Sequence, residues 1–413
     1  MAYGLPGTSS SSLPAWLQQL KNGGGQFAAM LDASESASGE GFRYTIREIC
    51  QQPATWAATA RHLKEFRSLV AGSLASCRRI VLTGSGSSQY AGECAAPALE
   101  RDLGRTVEVA GGGDLLLKRR ASVAGEPTLV VSLARSGESP ESAAVVETLL
   151  ETEPRTHHLI VTCNSEGKLA KAFAGHSRVR VIDLGAQVND RSLVMTSSFT
   201  NLVLAARFLG WVEKAGEFAG MVDQLDRAGR QLLAKWPDCL GAWVSGDVRS
   251  IVFLGSGGRL GACRESALKV LEMTAGKVAS MAQTYLGLRH GPMCFIDERT
   301  LVVCYLSADP LIRNYERDLI LELNAKRLGA RKLIAGVGDP GAGLCQGRDL
   351  VVPYELLEDA ADDNLAVLDV MIAQILGFHR SLEEGLQPDC PSVNGVISRV
   401  VGEFCIHGAE TAK

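Results

Sequence analysis

Residues 78–97, RRIVLTGSGSSQYAGECAAP, lie over residues 249–268, RSIVFLGSGGRLGACRESAL, at a constant offset of 171, with eight of twenty positions identical. The match continues in order along the chain. TLVV at 128–131 recurs at 300–303, an offset of 172, and HHLIV at 157–161 lies over RKLIA at 331–335, an offset of 174. Three matches in one order at nearly one offset mark an internal duplication.

Each copy reads as strand, Gly/Ser turn, helix, strand, turn, helix, strand. Short β-branched runs begin at Ile80, Leu129 and Leu159 in the first copy and at Ile251, Leu301 and Lys332 in the second. Between them lie helical patterns, for instance Ser142–Glu151, with Ala143, Val146, Leu149 and Leu150 at three- and four-residue spacing. Apolar strands alternating with helices predict an α/β protein of two tandem domains, each a parallel-sheet, three-layer α/β/α sandwich of the flavodoxin-like type. The expected division is an N-terminal segment over 1–44, partly irregular, a first domain over 45–215, a second over 216–385 and a C-terminal tail over 386–413. A helical stretch around Thr45–Leu69 is expected to break at Pro53.

Composition narrows the function classes. With 46% hydrophobic and 21% charged residues, the 413-residue chain has the make-up of an ordinary soluble globular protein. Its formal charge of −4 gives no general attraction to nucleic acid or to an anionic membrane, so any anion must be held by a few placed groups. The longest apolar stretch, Leu365–Phe378, is interrupted by Asp369 and Gln374 and is too short for a span. The opening residues lack the basic and apolar regions of a signal peptide. Eleven cysteines without a C-x-x-C pair fit reduced thiols in the cytoplasm. The seven histidines show no metal-site spacing, and neither a metal nor a cofactor is expected.

In open α/β sheets, ligands bind beyond the carboxyl ends of strands, where loops lead into helices. The first copy places GSGSS (84–88) and ARSGES (134–139) there. Glycines allow a tight turn, and serine hydroxyls with backbone N–H groups at a helix start can cradle a phosphate. The second copy breaks that pattern with Gly255–Arg259 and Ser307–Pro310, which offer fewer hydroxyls and an added carboxylate. It carries Arg264, Glu265, Lys269 and Glu272 on one helix instead. Glu265, Lys269 and Glu272 stand at i, i+4 and i+7, so one face presents two carboxylates around an ammonium. His290 follows, before Gly291 and Pro292. The division of labour is that copy one binds an anion and copy two supplies acid–base groups.

Plainer readings exist for each feature. A Gly/Ser turn is often only a turn, Glu265–Lys269 is a pair found on many solvated helix faces, and Arg135 is a candidate surface charge. MTSSFT (195–200) suits either a sugar-lining segment or a helix N-cap. A dinucleotide fingerprint fails in copy one, where Gln89 replaces the third glycine. Gly255, Gly257 and Gly261 form only a loose variant in copy two. No Walker sequence is present.

These residues resemble the sugar isomerase (SIS) family, which binds phosphosugars. TGSGSSQYAGE, SLARSGESPES, VMTSSFTN, RESALKVLEMTAGKV and YLGLRHGPM together resemble its tagatose-6-phosphate ketose/aldose isomerase branch, also regarded as galactosamine-6-phosphate deaminases. The resemblance spans roughly residues 45–400 and implies two tandem SIS domains. It extends more distantly to the isomerase half of glucosamine-6-phosphate synthase. The resemblance places phosphate binding on Ser85, Ser87, Ser88, Arg135, Ser136 and Ser139. It puts the enolisation carboxylate on Glu272, with Lys269 stabilising the developing oxyanion. The ring-opening histidine falls on His290, which in relatives reaches a neighbouring subunit's site and so implies a homodimer or higher homo-oligomer. Two departures stand out. No lysine occupies Pro388–Ser398, where synthase relatives carry one, and Ala134 and Arg135 stand where they carry more hydroxyls.

The implied reaction moves a carbonyl between C1 and C2 of a hexosamine 6-phosphate, galactosamine 6-phosphate preferred, with deamination to a ketose 6-phosphate such as tagatose 6-phosphate. Two rivals are a plain ketose/aldose phosphate isomerase without ammonia release and a non-catalytic phosphosugar sensor. The Glu272/His290 pair and the absence of a basic recognition helix weigh against the sensor.

Overall fold

The computed structural model describes residues 13–118, 123, 125–357, 360–392, 394–402 and 404–407. Helices α1 (Leu13–Lys21), α2 (Gln26–Ala33), α3 (Arg43–Glu65) and α4 (Arg67–Ala75) precede the first sheet. That sheet is built from β1 (Arg79–Gly84), α5 (Ser87–Leu103), β2 (Thr106–Gly111), α6 (Gly112–Lys118), β3 (Thr128–Ala134), α7 (Pro140–Thr152), β4 (Thr156–Thr162), α8 (Lys168–Ala172) and β5 (Val179–Asp183). Helices α9 (Ser197–Phe208), α10 (Ala215–Lys235) and α11 (Pro237–Val244) lead to the second sheet. It comprises β6 (Ser250–Leu254), α12 (Arg259–Met273), β7 (Ala279–Gln283), α13 (Tyr285–Leu288), β8 (Thr300–Leu306), α14 (Pro310–Lys326), β9 (Arg331–Gly336) and β10 (Leu350–Pro353), followed by α15 (Ala366–Glu383).

The strand orders are β2-β1-β3-β4-β5 and β10-β9-β8-β6-β7, every pairing parallel. Read from β7, the second order repeats the first, so the duplication in sequence is a duplication of topology. The expected α/β class and tandem flavodoxin-like sandwiches are what the chain forms. The six strands legible in the sequence are the inner ones. β3 and β8 are buried along their whole length, whereas β2 and β7 are mostly half-exposed and carry polar residues such as Glu108 and Gln283. Outer strands need less apolar sequence, and the periodicity search passes over them.

The two copies share one core. Ile80, Leu82, Leu129 and Val131 of the first sheet fall in the same cluster as Ile251, Phe253, Leu301 and Val303 of the second. The opposite faces form smaller clusters around Val81 and Val130 and around Val252 and Val302. Leu365–Phe378, the longest apolar stretch, forms most of α15 and is buried nearly all round within this core. Among the described residues, no helix is long and apolar enough to cross a membrane.

One sequence expectation needs adjusting. Helix α3 runs unbroken through Pro53, and the break falls at Phe66. The carbonyl left without a donor by Pro53 is that of Ile49, and Gln52 Nε2 donates to it at 3.0 Å. Beyond the first twelve residues, which lie outside the described ones, the N-terminal segment is largely helical. Trp16, Leu17, Leu20, Phe27 and Leu31 are buried, and Trp16 Nε1 donates to Cys50 O at 2.8 Å. The tail doubles back on α3, where Asp389 accepts from Tyr44 N and Thr45 N at 3.1 and 2.7 Å and caps the helix.

Candidate active site

Strands β1 and β3 are neighbours at the point where the strand order reverses, and both Gly/Ser loops leave from there. Gly84 ends β1 so close to α5 that a Cβ would lie 2.6 Å from Ser88 Cβ. Gly86 and Gly137 turn at φ +57° and +65°, conformations glycine adopts at little cost. Helix α7 opens with Pro140 at its first position. Two helix N-termini therefore face one cavity of about 290 Å³, lined by Ser85, Ser87, Ser88, Ser136, Ser139 and Arg135. Among the described residues, the hydroxyls of Ser85, Ser88 and Ser139 take no protein partner. Free hydroxyls, N–H groups and two positive helix ends make a site for a phosphate.

Arg135 is on the cavity wall, but its guanidinium is engaged. Nη1 donates to Leu193 O at 2.9 Å and Nη2 donates to Arg399 O. It ties the segment around residue 193 to the C-terminal tail. The hydroxyls of Ser197, Ser198 and Thr200 in MTSSFT are engaged as well, while that of Thr196 is buried without a partner. Asp190 accepts from Thr196 N at 2.7 Å, Ser197 Oγ at 2.6 Å, and Ser198 N and Oγ at 2.8 and 2.5 Å. The segment is a capped helix start, with Asp190 as the capping group, and only Met195 of the six lines the cavity.

The second copy reaches this cavity through α12. Glycines at 258 and 261 set the approach, since a Cβ on Gly261 would stand 2.7 Å from Cys94 N and one on Gly258 2.8 Å from Cys94 O. Gly261 of the loose glycine pattern, with Gly258 beside it, thus serves helix docking against α5. Arg264, which lies over Glu93 in the duplication, pairs with it at 2.6 Å. Further along α12, Lys269 Nζ lies 3.2 Å from Glu265 Oε1 and 2.6 Å from Glu272 Oε2, and it donates to Ser87 Oγ at 3.1 Å. The face predicted from spacing exists, and it is bonded to a serine of the opposite copy.

Glu265 and Lys269 are fully buried, while Glu272 lines the cavity with its side chain 22% exposed. Burial pushes the Glu265 carboxyl up, against the pull of Lys269. Burial alone would lower the Lys269 ammonium, but Glu265 and Glu272 outweigh it and hold the group above its usual range. Lys269 is therefore a cation at neutral pH, held beside a carboxylate that opens to the cavity.

The corresponding place in the second sheet is filled by protein. Asp362 accepts from Ser307 Oγ and from Ala308 N at 2.6 Å, and Glu316 accepts from Ser307 N at 2.7 Å and Ser256 Oγ at 2.7 Å. Buried Arg259 forks onto Asp369 at 2.7 and 2.6 Å. Internal carboxylates hold the donors that a phosphate would otherwise meet.

His290 lies apart. It is exposed on the loop after α13 and does not line the cavity of its own chain. Sequence reasoning missed the tail residues Ile397–Val401, which form part of the cavity wall. Arg399 donates to Asp190 O at 2.7 Å and Asn189 Oδ1 at 2.6 Å. It stands one residue beyond the Pro388–Ser398 stretch that carries no lysine. It is also the one lysine or arginine between Leu386 and Ala412, the signal that marks it.

Behind the cavity, Glu48 of α3 accepts from Arg191 N and Ser192 Oγ, both at 2.5 Å. Burial, aided by nearby Asp190, pushes its carboxyl from 4.5 up to about 8. The folded chain then holds a proton that the unfolded chain releases above about pH 4.5. The stabilisation is complete below that pH and is lost as pH rises toward 8. Thermal midpoints are expected to fall from pH 5 to pH 8, with a shallower fall in Glu48→Gln. Identical slopes for the two proteins would remove Glu48 as the cause.

A pair of parallel sandwiches with a serine-lined switch-point cavity defines a tandem sugar-isomerase architecture, and the SIS domain matches residues 73–206. The chain belongs to the AgaS family of SIS proteins. AgaS of Streptomyces coelicolor is 38% identical over 372 residues, covering 88% of this chain and 95% of the relative. D-galactosamine-6-phosphate deaminase AgaS of Escherichia coli is 33% identical over 370 residues, with the same coverage. The crystal structure of tagatose-6-phosphate ketose/aldose isomerase from Escherichia coli superposes with a TM-score of 0.79 at 30% identity. That match covers 89% of this chain and 97% of the other.

Proposed function

We propose that this enzyme converts a hexosamine 6-phosphate, galactosamine 6-phosphate by preference, into a ketose 6-phosphate such as tagatose 6-phosphate, releasing ammonia. The observation that carries the reading is Glu272, held by Lys269 and presented by the second copy into a serine-lined cavity of the first. The family relatives named for a galactosamine-6-phosphate deaminase support the substrate class.

The phosphate is held by Ser85, Ser87, Ser88, Ser136 and Ser139 with the N-termini of α5 and α7. Arg135 shapes the wall by holding the tail. With the ring open, Glu272 takes the C2 proton of the amino aldose, giving an enolamine, and returns a proton to C1. The nitrogen now sits on C2 as an imine. Water adds there and ammonia leaves, so one sugar phosphate and one water give one ketose phosphate and one ammonia. Lys269 stabilises the oxygen charge that develops during proton removal and keeps Glu272 aimed.

Ring opening falls to His290, supplied across a homo-oligomer interface. An imidazole gives and takes a proton near neutral pH, and its exposed position suits a partner's cavity.

The test is ammonia release measured beside ketose formation, from galactosamine 6-phosphate and glucosamine 6-phosphate. Ammonia is expected in step with ketose and absent in His290→Ala. Mixing His290→Ala with Glu272→Gln is expected to restore about a quarter of the activity if subunits exchange as dimers, because one site in each mixed dimer is intact. Ketose without ammonia, from neutral sugar phosphates only, would leave a plain isomerase. A mixture as inactive as its components would place His290 outside the neighbour's site.

A further inference from the structure

A second cavity, of about 390 Å³, opens between the first turns of α3 and residues 186–191. Arg43 and Arg47, four residues apart on α3, face it together with Arg191. Little in the protein neutralises these three guanidiniums. Arg43 Nη2 donates to Ser36 O at 2.6 Å, while its Nε is buried without a partner. Arg47 has one exposed carboxylate, Glu35, at 3.2 Å. Arg191 lies over the Tyr44 ring at 4.4 Å and forms no ion pair among the described residues.

Two carboxylates also line this cavity, and both are engaged elsewhere. The oxygens of Asp190 accept from Thr196, Ser197 and Ser198, and those of Glu48 accept from Arg191 N and from Ser192. Burial keeps Glu48 largely protonated near neutral pH. What remains is a pocket whose three cationic forks outnumber the one Asp190 carboxylate, with amide groups from Gln51 and Asn189 at its wall.

We propose that this arginine-rimmed cavity is a second binding site, for a small phosphate-bearing molecule distinct from the one in the serine cradle. Guanidinium forks match phosphate oxygens bidentately, and a dianion meets this charge better than a single carboxylate. The cavity has room for a phosphorylated metabolite of several carbons. It is linked to the sugar cavity through Arg399, which lines that cavity and donates to Asp190 O and Asn189 Oδ1 here.

The experiment is a calorimetric titration of inorganic phosphate into the full chain, compared with Arg191→Glu and with Ser88→Ala/Ser139→Ala. Arg191 is exposed and rests only on Tyr44, so its replacement leaves the core intact. Two sites are expected in the wild type. Arg191→Glu weakens one by about tenfold or more and spares the other, as reversal of a charge-assisted contact requires. The double serine variant weakens the site that Arg191→Glu spares. Arg43→Ala repeats the Arg191→Glu effect by removing a second fork. A titration in which neither arginine variant changes any phosphate site overturns the proposal, whatever the serine variant does.

Discussion

Glu272→Gln is expected to lower kcat for the sugar phosphate by about a thousandfold, within the range that a positioned general base supplies. KM should stay within about twofold, because in the proposed reading the serine loops, not this carboxylate, hold the phosphate. The amide keeps the shape of the side chain and an oxygen for Lys269 Nζ, now 2.6 Å away, so the fold is undisturbed. What it removes is the capacity to accept a proton. Solvent deuterium incorporation into C1 of the product, which reports proton transfer directly, should fall with kcat. A variant with kcat near wild type and undiminished deuterium uptake would move the base to another residue and leave Glu272 as a wall of the cavity.

Lys269→Met tests the other half of the arrangement. The ammonium is fully buried between Glu265 and Glu272, and Glu265 has no exposed surface through which water can reach it. Removing one partner of a buried pair leaves an uncompensated charge and costs about 3–5 kcal/mol. A clear fall in the thermal midpoint is expected, with activity lost as Glu272 loses its anchor. Lys269→Met/Glu265→Gln removes both charges and should recover most of the stability. Activity should stay absent, because Glu272 is still unheld and the developing oxygen charge still unopposed. This split between recovered stability and absent turnover is what a purely structural lysine would not produce. A double variant no more stable than the single one would mean that Glu265 is already protonated and uncoupled from Lys269 in the wild type.

Much of this site is legible in the sequence. The serine loops follow β-branched runs, and a parallel sheet directs such loops to one edge. The spacing of Glu265, Lys269 and Glu272 assigns them to one helix face without reference to the rest of the molecule. Other features were hidden because their meaning is non-local. Arg135 reads as a free cation in sequence, yet the carbonyls of Leu193 and Arg399 take its donors. MTSSFT reads equally as a sugar wall or a cap until Asp190 is seen to hold the hydroxyls of Ser197 and Ser198. Gly261 completes a loose nucleotide-turn pattern with Gly255 and Gly257 until the backbone of Cys94 is found against it.

From the sequence alone followed the duplication, the α/β class, the Gly/Ser loops gathered at one sheet edge and the copy that carries Glu265, Lys269 and Glu272 on one helix face. All of these rest on periodicity and spacing within one element or one repeat, which neighbouring residues determine. The tertiary structure alone decided that α12 docks on α5 closely enough to set Glu272 into the other copy's cavity. It also decided that the matching cavity of the second copy is filled by Asp362 and Glu316, and that the tail closes the wall through Arg399. Those outcomes join residues far apart along the chain. They depend on glycines that admit close backbone contact and on buried donors that must find acceptors, conditions met only when the packed chain brings them together.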